Sequence, residues 1–185
     1  MAAYRLREHA HPHLRELQRE TSYTANLAVL DGPEIVYVDR ARGPRREQDK
    51  IDLDLDLARG ARLPAHCTAM GKVLLANLPE LERNELLSSM RLTQRGPNTI
   101  TSKHALRVEL SQIAEAGLAV NDQELARKLL AIAVPVRGEH GEVVAAVNLS
   151  ARTSKISLRK LVDTLGPRLL STADLISTEL GCGPP

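Results

Sequence analysis

Apolar side chains recur at Leu6, Ala10, Leu14 and Leu17, the spacing of one buried helix face, and Pro12 in their midst predicts two helices joined at a kink. Two apolar runs, 26–30 and 35–38, flank Asp31-Gly32-Pro33-Glu34 and predict a hairpin with a longer turn. Ile51, Leu53, Leu55 and Leu57 then alternate with Asp52, Asp54 and Asp56, the period of a strand with one buried and one acidic face. Leu63-Pro64 halts the chain before an apolar helix over 68–78, and Pro79 opens a short polar helix. After a loop over 91–101, Thr101 or Ser102 caps a helix whose buried stripe is Leu106, Leu110 and Ile113, and Gly117 ends it. A strand over 118–120 delivers Asn121-Asp122-Gln123-Glu124 to a turn.

The apolar runs 129–136 and 143–150 are joined by Gly138-Glu139-His140-Gly141, a second hairpin. With Arg137 facing Glu142, one face pairs Ile132 with Val147, Val134 with Ala145 and Val136 with Val143. The other face pairs Ala131 with Asn148, Ala133 with Ala146 and Leu129 with Ser150, and is small and partly polar. Small residues beside an amide and a hydroxyl leave room for a ligand, although the same pattern fits a wet strand end. Helices over 157–165 and 167–180 close the chain, split by Gly166-Pro167, and residues 181–185 form a frayed tail. Antiparallel hairpins mixed with non-alternating helices make this an α+β chain.

Composition narrows the chemistry. In 185 residues there is no Phe or Trp and only three Tyr, so base-stacking nucleic-acid modules are disfavoured. The net charge is +2, and only Arg40, Arg42, Arg45 and Arg46 cluster. Cys67 and Cys182 are too few and too distant for a disulfide framework or a metal knuckle, which fits a reducing cytoplasm. His9, His11 and His13 alternate, so on a helix they point apart, and they are read as solvated; the three aspartates of 52–56 are likewise a wet face, so no metal and no cofactor are expected. No apolar run approaches membrane-spanning length. Tyr37 either packs or points into a pocket.

The stretch with the most chemical content is 63–76. With Thr68 as N-cap, the amides of Ala69, Met70 and Gly71 point out of the helix start and form an anion site that no bulky side chain covers. Its plain alternative is a capped core helix. Cys67 beside His66 admits a second reading as a small hydrolase, but adjacent residues rarely align as nucleophile and base, and neither an orienting acid nor a nucleophile elbow accompanies them.

Five runs in order resemble the effector-binding domain of IclR-type transcriptional regulators: 13–17 with Glu20-Thr21, 26–30, 63–76, 117–124, and 131–150. Residues 60–65, 67–76 and 122–125 look most similar to the branch controlling protocatechuate and β-ketoadipate catabolism. The resemblance implies a GAF-like or profilin-like six-stranded antiparallel sheet with helices on both faces, no catalysis, and a small organic acid bound between the 66–71 segment and the small sheet face. The implied contacts are Thr68, Ala69, Met70, Gly71, Asn121, Ala131, Asn148 and Ser150. It further implies a linker and entry helix over 1–20, an effector domain over 21–181, and a homodimer or homotetramer that reaches operator DNA through a winged helix-turn-helix absent from this chain. A pure oligomerisation module with a vestigial pocket is the remaining alternative. The family usually has Gly where Lys128 stands, and a lysine there needs a different backbone if φ is positive.

Overall fold

The computed structural model describes residues 2–43 and 57–183. Its helices and strands follow the order α1 (Ala2–Thr21), β1 (Thr24–Asp31), β2 (Glu34–Ala41), β3 (Arg62–Pro64), α2 (Ala69–Ala76), α3 (Glu80–Ser89), α4 (Lys103–Ala116), β4 (Ala119–Asp122), β5 (Leu129–Arg137) and β6 (Val143–Arg152). A short α5 (Leu158–Lys160), a π turn (Leu161–Leu165) and α6 (Gly166–Glu179) complete it. The six strands form one antiparallel sheet in the order β3-β2-β1-β6-β5-β4, so the pairing of β1 with β6 joins the two hairpins.

Two cores lie on opposite faces of this α+β sheet. On the front, α2 and α4 cover Ala28, Ile35, Tyr37, Ala131, Ala133 and Ala146. On the back, α1 and α6 cover Leu27, Ile132, Val134, Val147 and Leu149. Strand alternation explains the division, since successive residues of β1, β5 and β6 enter opposite cores. Tyr37 packs in the front core, and burial pushes its phenol up to about 12.

Several expectations need correction. Helix α1 runs unbroken through Pro12. Leu6, Ala10, Leu14 and Leu17 are all buried on the sheet, whereas Pro12 is exposed, so the helical bond it cannot make is lost on the wet side and packing outweighs it. The histidines of α1 are not simply solvated: His11 Nδ1 lies 2.6 Å from Asp39 Oδ2, and His13 Nε2 lies 2.8 Å from Glu179 Oε1. Their acidic partners come from β2 and α6, a proximity created only by folding. The first hairpin is tighter than expected, because Asp31 pairs with Glu34 across Gly32-Pro33 and Gly32 adopts φ +57°.

The second hairpin is shifted by two residues. Ala131 pairs with Ser150, Ile132 with Leu149, Ala133 with Asn148 and Val136 with Ala145, because Glu142 belongs to the loop and the register slips at Val136/Arg137. A shift of two keeps each of these side chains on its predicted face. Beyond the slip Val143 changes sides and packs on the front core. At the C-terminus, Gly166-Pro167 does not split the helix. The π turn passes directly into α6, a widening that makes room for a proline ring near its start. The alternating stretch 51–56 lies outside the described residues, and the sixth strand is β3.

Ser102 is the cap of α4, its Oγ accepting from Ala105 N at 3.3 Å, and Gly117 ends that helix at φ +68°. Lys128 holds φ +65° without glycine. Its amide donates to Gln123 Oε1 at 3.1 Å, which ties the turn together in the strained conformation. Relief of left-handed strain is worth about 1–2 kcal/mol, and glycine returns about 0.4–1 kcal/mol through unfolded-state entropy. Lys128→Gly is therefore expected to stabilise the domain by roughly 0.5–1 kcal/mol, read as a higher urea midpoint with unchanged slope.

Candidate functional site

The loop 65–67 and the start of α2 are built by short backbone contacts. Pro64 fixes the entry, a 3-10 turn spans Ala65–Cys67, and Thr68 caps α2 with its Oγ1 accepting from Gly71 N at 3.1 Å. Glycine is required at 71: a Cβ there would stand 2.2 Å from the Ala65 carbonyl oxygen. The cap corrects the expected anion site. Gly71 N–H is already taken and Thr68 Oγ1 is spent on capping, so Ala69 and Met70 supply the amides that the helix start leaves unpaired.

The sheet beneath α2 is organised in two rows of cross-strand neighbours. One runs Asn26, Asn148, Ala133, Ala119; the next runs Thr24, Ser150, Ala131, Asn121. Both face α2; the first runs from two amides to two alanines, and the second has Ala131 between polar neighbours. Asn121 fastens the site to its lid: its Nδ2 donates to the Cys67 carbonyl at 2.6 Å while its Oδ1 accepts from Glu124 N at 3.1 Å. Ser150 Oγ reaches Thr24 O only at 3.5 Å, too long to occupy the hydroxyl.

Two features escaped the sequence reading. Asn26, directly opposite Asn148, donates from Nδ2 to Asn148 Oδ1 at 2.7 Å, and its own Oδ1 is buried without a partner. Such an orphan acceptor costs about 1–3 kcal/mol. The signal was there, an amide at an alternating position of an apolar strand. The second is Lys72, fully buried on α2, whose Nζ donates to Glu124 Oε1 at 2.6 Å and Glu109 Oε1 at 2.7 Å. Burial pushes the Glu124 carboxyl above its usual range, with the Lys72 charge and hydrogen bond opposing the shift.

Other candidates carry less. Cys67 Sγ leans on the Pro64 carbonyl at 3.8 Å and burial pushes its thiol up to about 12, while His66 Nε2 is engaged with Thr93 O at 3.0 Å. A thiol so rarely ionised, beside an imidazole that bonds elsewhere, is no nucleophile. Among the described residues no cluster of three or more His, Cys, Asp or Glu is placed to hold a metal, and no helix is long and apolar enough to cross a membrane. A groove of about 440 Å³ lined by Leu30, Leu74, Leu78, Leu86 and Val143 lies at the other end of α2. Its lining also includes Asn77, Glu82 and Glu85, so it is mixed in polarity, and neither the amides of the helix start nor the residues of the two rows line it.

The family described as "Bacterial transcriptional regulator IclR C-terminal" matches residues 1–178. The chain belongs to the IclR C-terminal domain family. The Pca regulon regulatory protein of Pseudomonas putida is 33% identical over 164 residues, covering 89% of this chain and 55% of that protein. The crystal structure of Thermotoga maritima IclR is similar with a TM-score of 0.86 and 32% identity over 95% of this chain and 68% of the other. The inducer-binding domain of Acinetobacter PobR, a double mutant in complex with 3-hydroxybenzoic acid, gives 0.81 and 32% over 93% of this chain and 97% of the other. The chain spans about three fifths of the length of the curated relatives it matches. These relatives are regulators, which together with the Cys67 geometry sets the hydrolase reading aside.

Removing the Lys72 ammonium leaves Glu124 buried and uncompensated. Lys72→Met is expected to cost about 3–5 kcal/mol in urea unfolding, and Glu124→Gln added to it should recover a large part. Cys67 is expected to resist iodoacetamide in the native IclR-family domain at pH 8 while the partly exposed Cys182 is alkylated, as peptide mass spectrometry would show.

Proposed function

We propose that this IclR-family domain is a ligand-sensing module that binds a small organic acid of the protocatechuate and β-ketoadipate class, an aromatic-catabolism intermediate. The observation that carries the reading is a floor of alanines edged by Asn148, Ser150 and Asn121 beneath a helix start with two unpaired amides. The acid's carboxylate lies against the Ala69 and Met70 amides, its body covers Ala131 and Ala133, and Ser150 and Asn148 bond its polar end. In the proposed regulator, residues 1–20 form the linker and entry helix and 21–181 the sensor, in a cytoplasmic homodimer or homotetramer. Operator DNA is contacted by an N-terminal winged helix-turn-helix of the regulator, a reading supported by the match to a family described as the C-terminal part of a transcriptional regulator. Similarity to the Pca regulator and to the PobR complex supports the aromatic class.

The helix end contributes about 0.3–1 kcal/mol to a charged group when exposed and ~2 kcal/mol when partly buried. A side-chain hydrogen bond to a charged ligand contributes about 1.5–3 kcal/mol, so the side chains dominate. Calorimetry with aromatic and aliphatic acids, each beside its methyl ester, is expected to show binding of acids only. Ser150→Ala should weaken the best acid roughly tenfold or more, at about 1.4 kcal/mol per decade, with little change in unliganded stability. Equal affinity for acid and ester, or an indifferent Ser150→Ala, would refute the anion-site arrangement.

A further inference from the structure

The side chain of Asn26 has no role in the arrangement above, yet it is 2% exposed and starts the row that continues through Asn148 and Ala133 to Ala119. Its amide is oriented by the 2.7 Å bond to Asn148 Oδ1, which consumes an N–H of Asn26 and leaves Asn26 Oδ1 as a buried acceptor with nothing to accept from. Buried amide oxygens are as a rule hydrogen-bonded, and a bound molecule carrying a donor can meet that requirement here. A carboxylate cannot supply one, because it only accepts.

We infer that Asn26 is a specificity-determining effector contact: it accepts a hydrogen bond from a hydroxyl or amine that the effector carries in addition to its carboxylate. The inference rests on the acid-binding reading and narrows it to hydroxy or amino acids over unsubstituted ones. Asn148 is the hinge of the arrangement. By accepting from Asn26 Nδ2 it fixes the orientation of that amide, so the two strands that close the sheet, β1 and β6, together hold the buried acceptor. Ser150, one row away on β6, remains a separate contact.

Calorimetry of the 1–185 chain tests this with 3- and 4-hydroxybenzoate, 3- and 4-aminobenzoate, the matching fluorobenzoates, and 3-hydroxybutyrate beside butyrate. Fluorine approximates the size of a hydroxyl and cannot donate. The wild type is expected to bind at least one hydroxyl- or amine-bearing acid about tenfold or more tighter than its donor-free counterpart. Asn26→Ala should abolish that preference while leaving affinity for the donor-free acid within about twofold. Asn26→Ser, whose hydroxyl can donate to Asn148 Oδ1 and still accept, should retain part of the preference. Thermal melting establishes that each variant folds, and if Asn26→Ala does not, the wild-type ligand pairs and Asn26→Ser decide. Acids bound without a donor preference, or a preference that survives in Asn26→Ala or disappears in Asn26→Ser, would overturn the role of Asn26 and leave the acid reading standing. Failure of every acid to bind would overturn both.

Discussion

The front of the molecule depends on how α2 is held, and the charge of Lys72 does much of the holding. An ammonium with no exposure cannot stay ionised without partners, so Glu124 from the turn after β4 and Glu109 from α4 are drawn to it. These bonds bring α2, α4 and the β4–β5 connection to one point. The same turn carries Asn121, whose amide fastens the Cys67 carbonyl just before the helix begins. The position of the Ala69 and Met70 amides over the sheet thus follows from an ion cluster one helical step away.

The elements were largely legible from periodicity. Leu6, Ala10, Leu14 and Leu17 foretold the buried stripe of α1, and alternation in 129–136 and 143–150 foretold which side chains face α2. Strand parity is robust because a two-residue slip preserves it, and that is how the faces survived an incorrect register. Local rules failed where tertiary contacts decide. Pro12 and Gly166-Pro167 read as breaks, yet packing along the back of the sheet carries the helices through both. Gly32-Pro33 made a turn tighter than its composition suggested.

The site was legible in part, for a related reason. Thr68 as cap follows from its position before a small apolar helix, and the structure adds that the cap consumes the Gly71 amide. Residues whose chemistry is fixed by distant partners were invisible: Lys72 drew no reading of its own, Asn26 was counted within an apolar run, and His11 read as solvated although Asp39 waits on β2. In each case the informative quantity is a distance across the sheet or between helices, which no spacing along the chain encodes.

The seam between β1 and β6 also has a consequence for how the domain assembles. Asn26 and Asn148 are 122 positions apart, so the two hairpins can zip locally and early while their junction must wait for nearly the whole polypeptide. During synthesis the floor beneath α2 is unfinished until β6 leaves the ribosome. The entropy of closing so long a loop makes this seam the expected late step, and before it forms the domain has neither a completed sheet nor the Asn26–Asn148 pair.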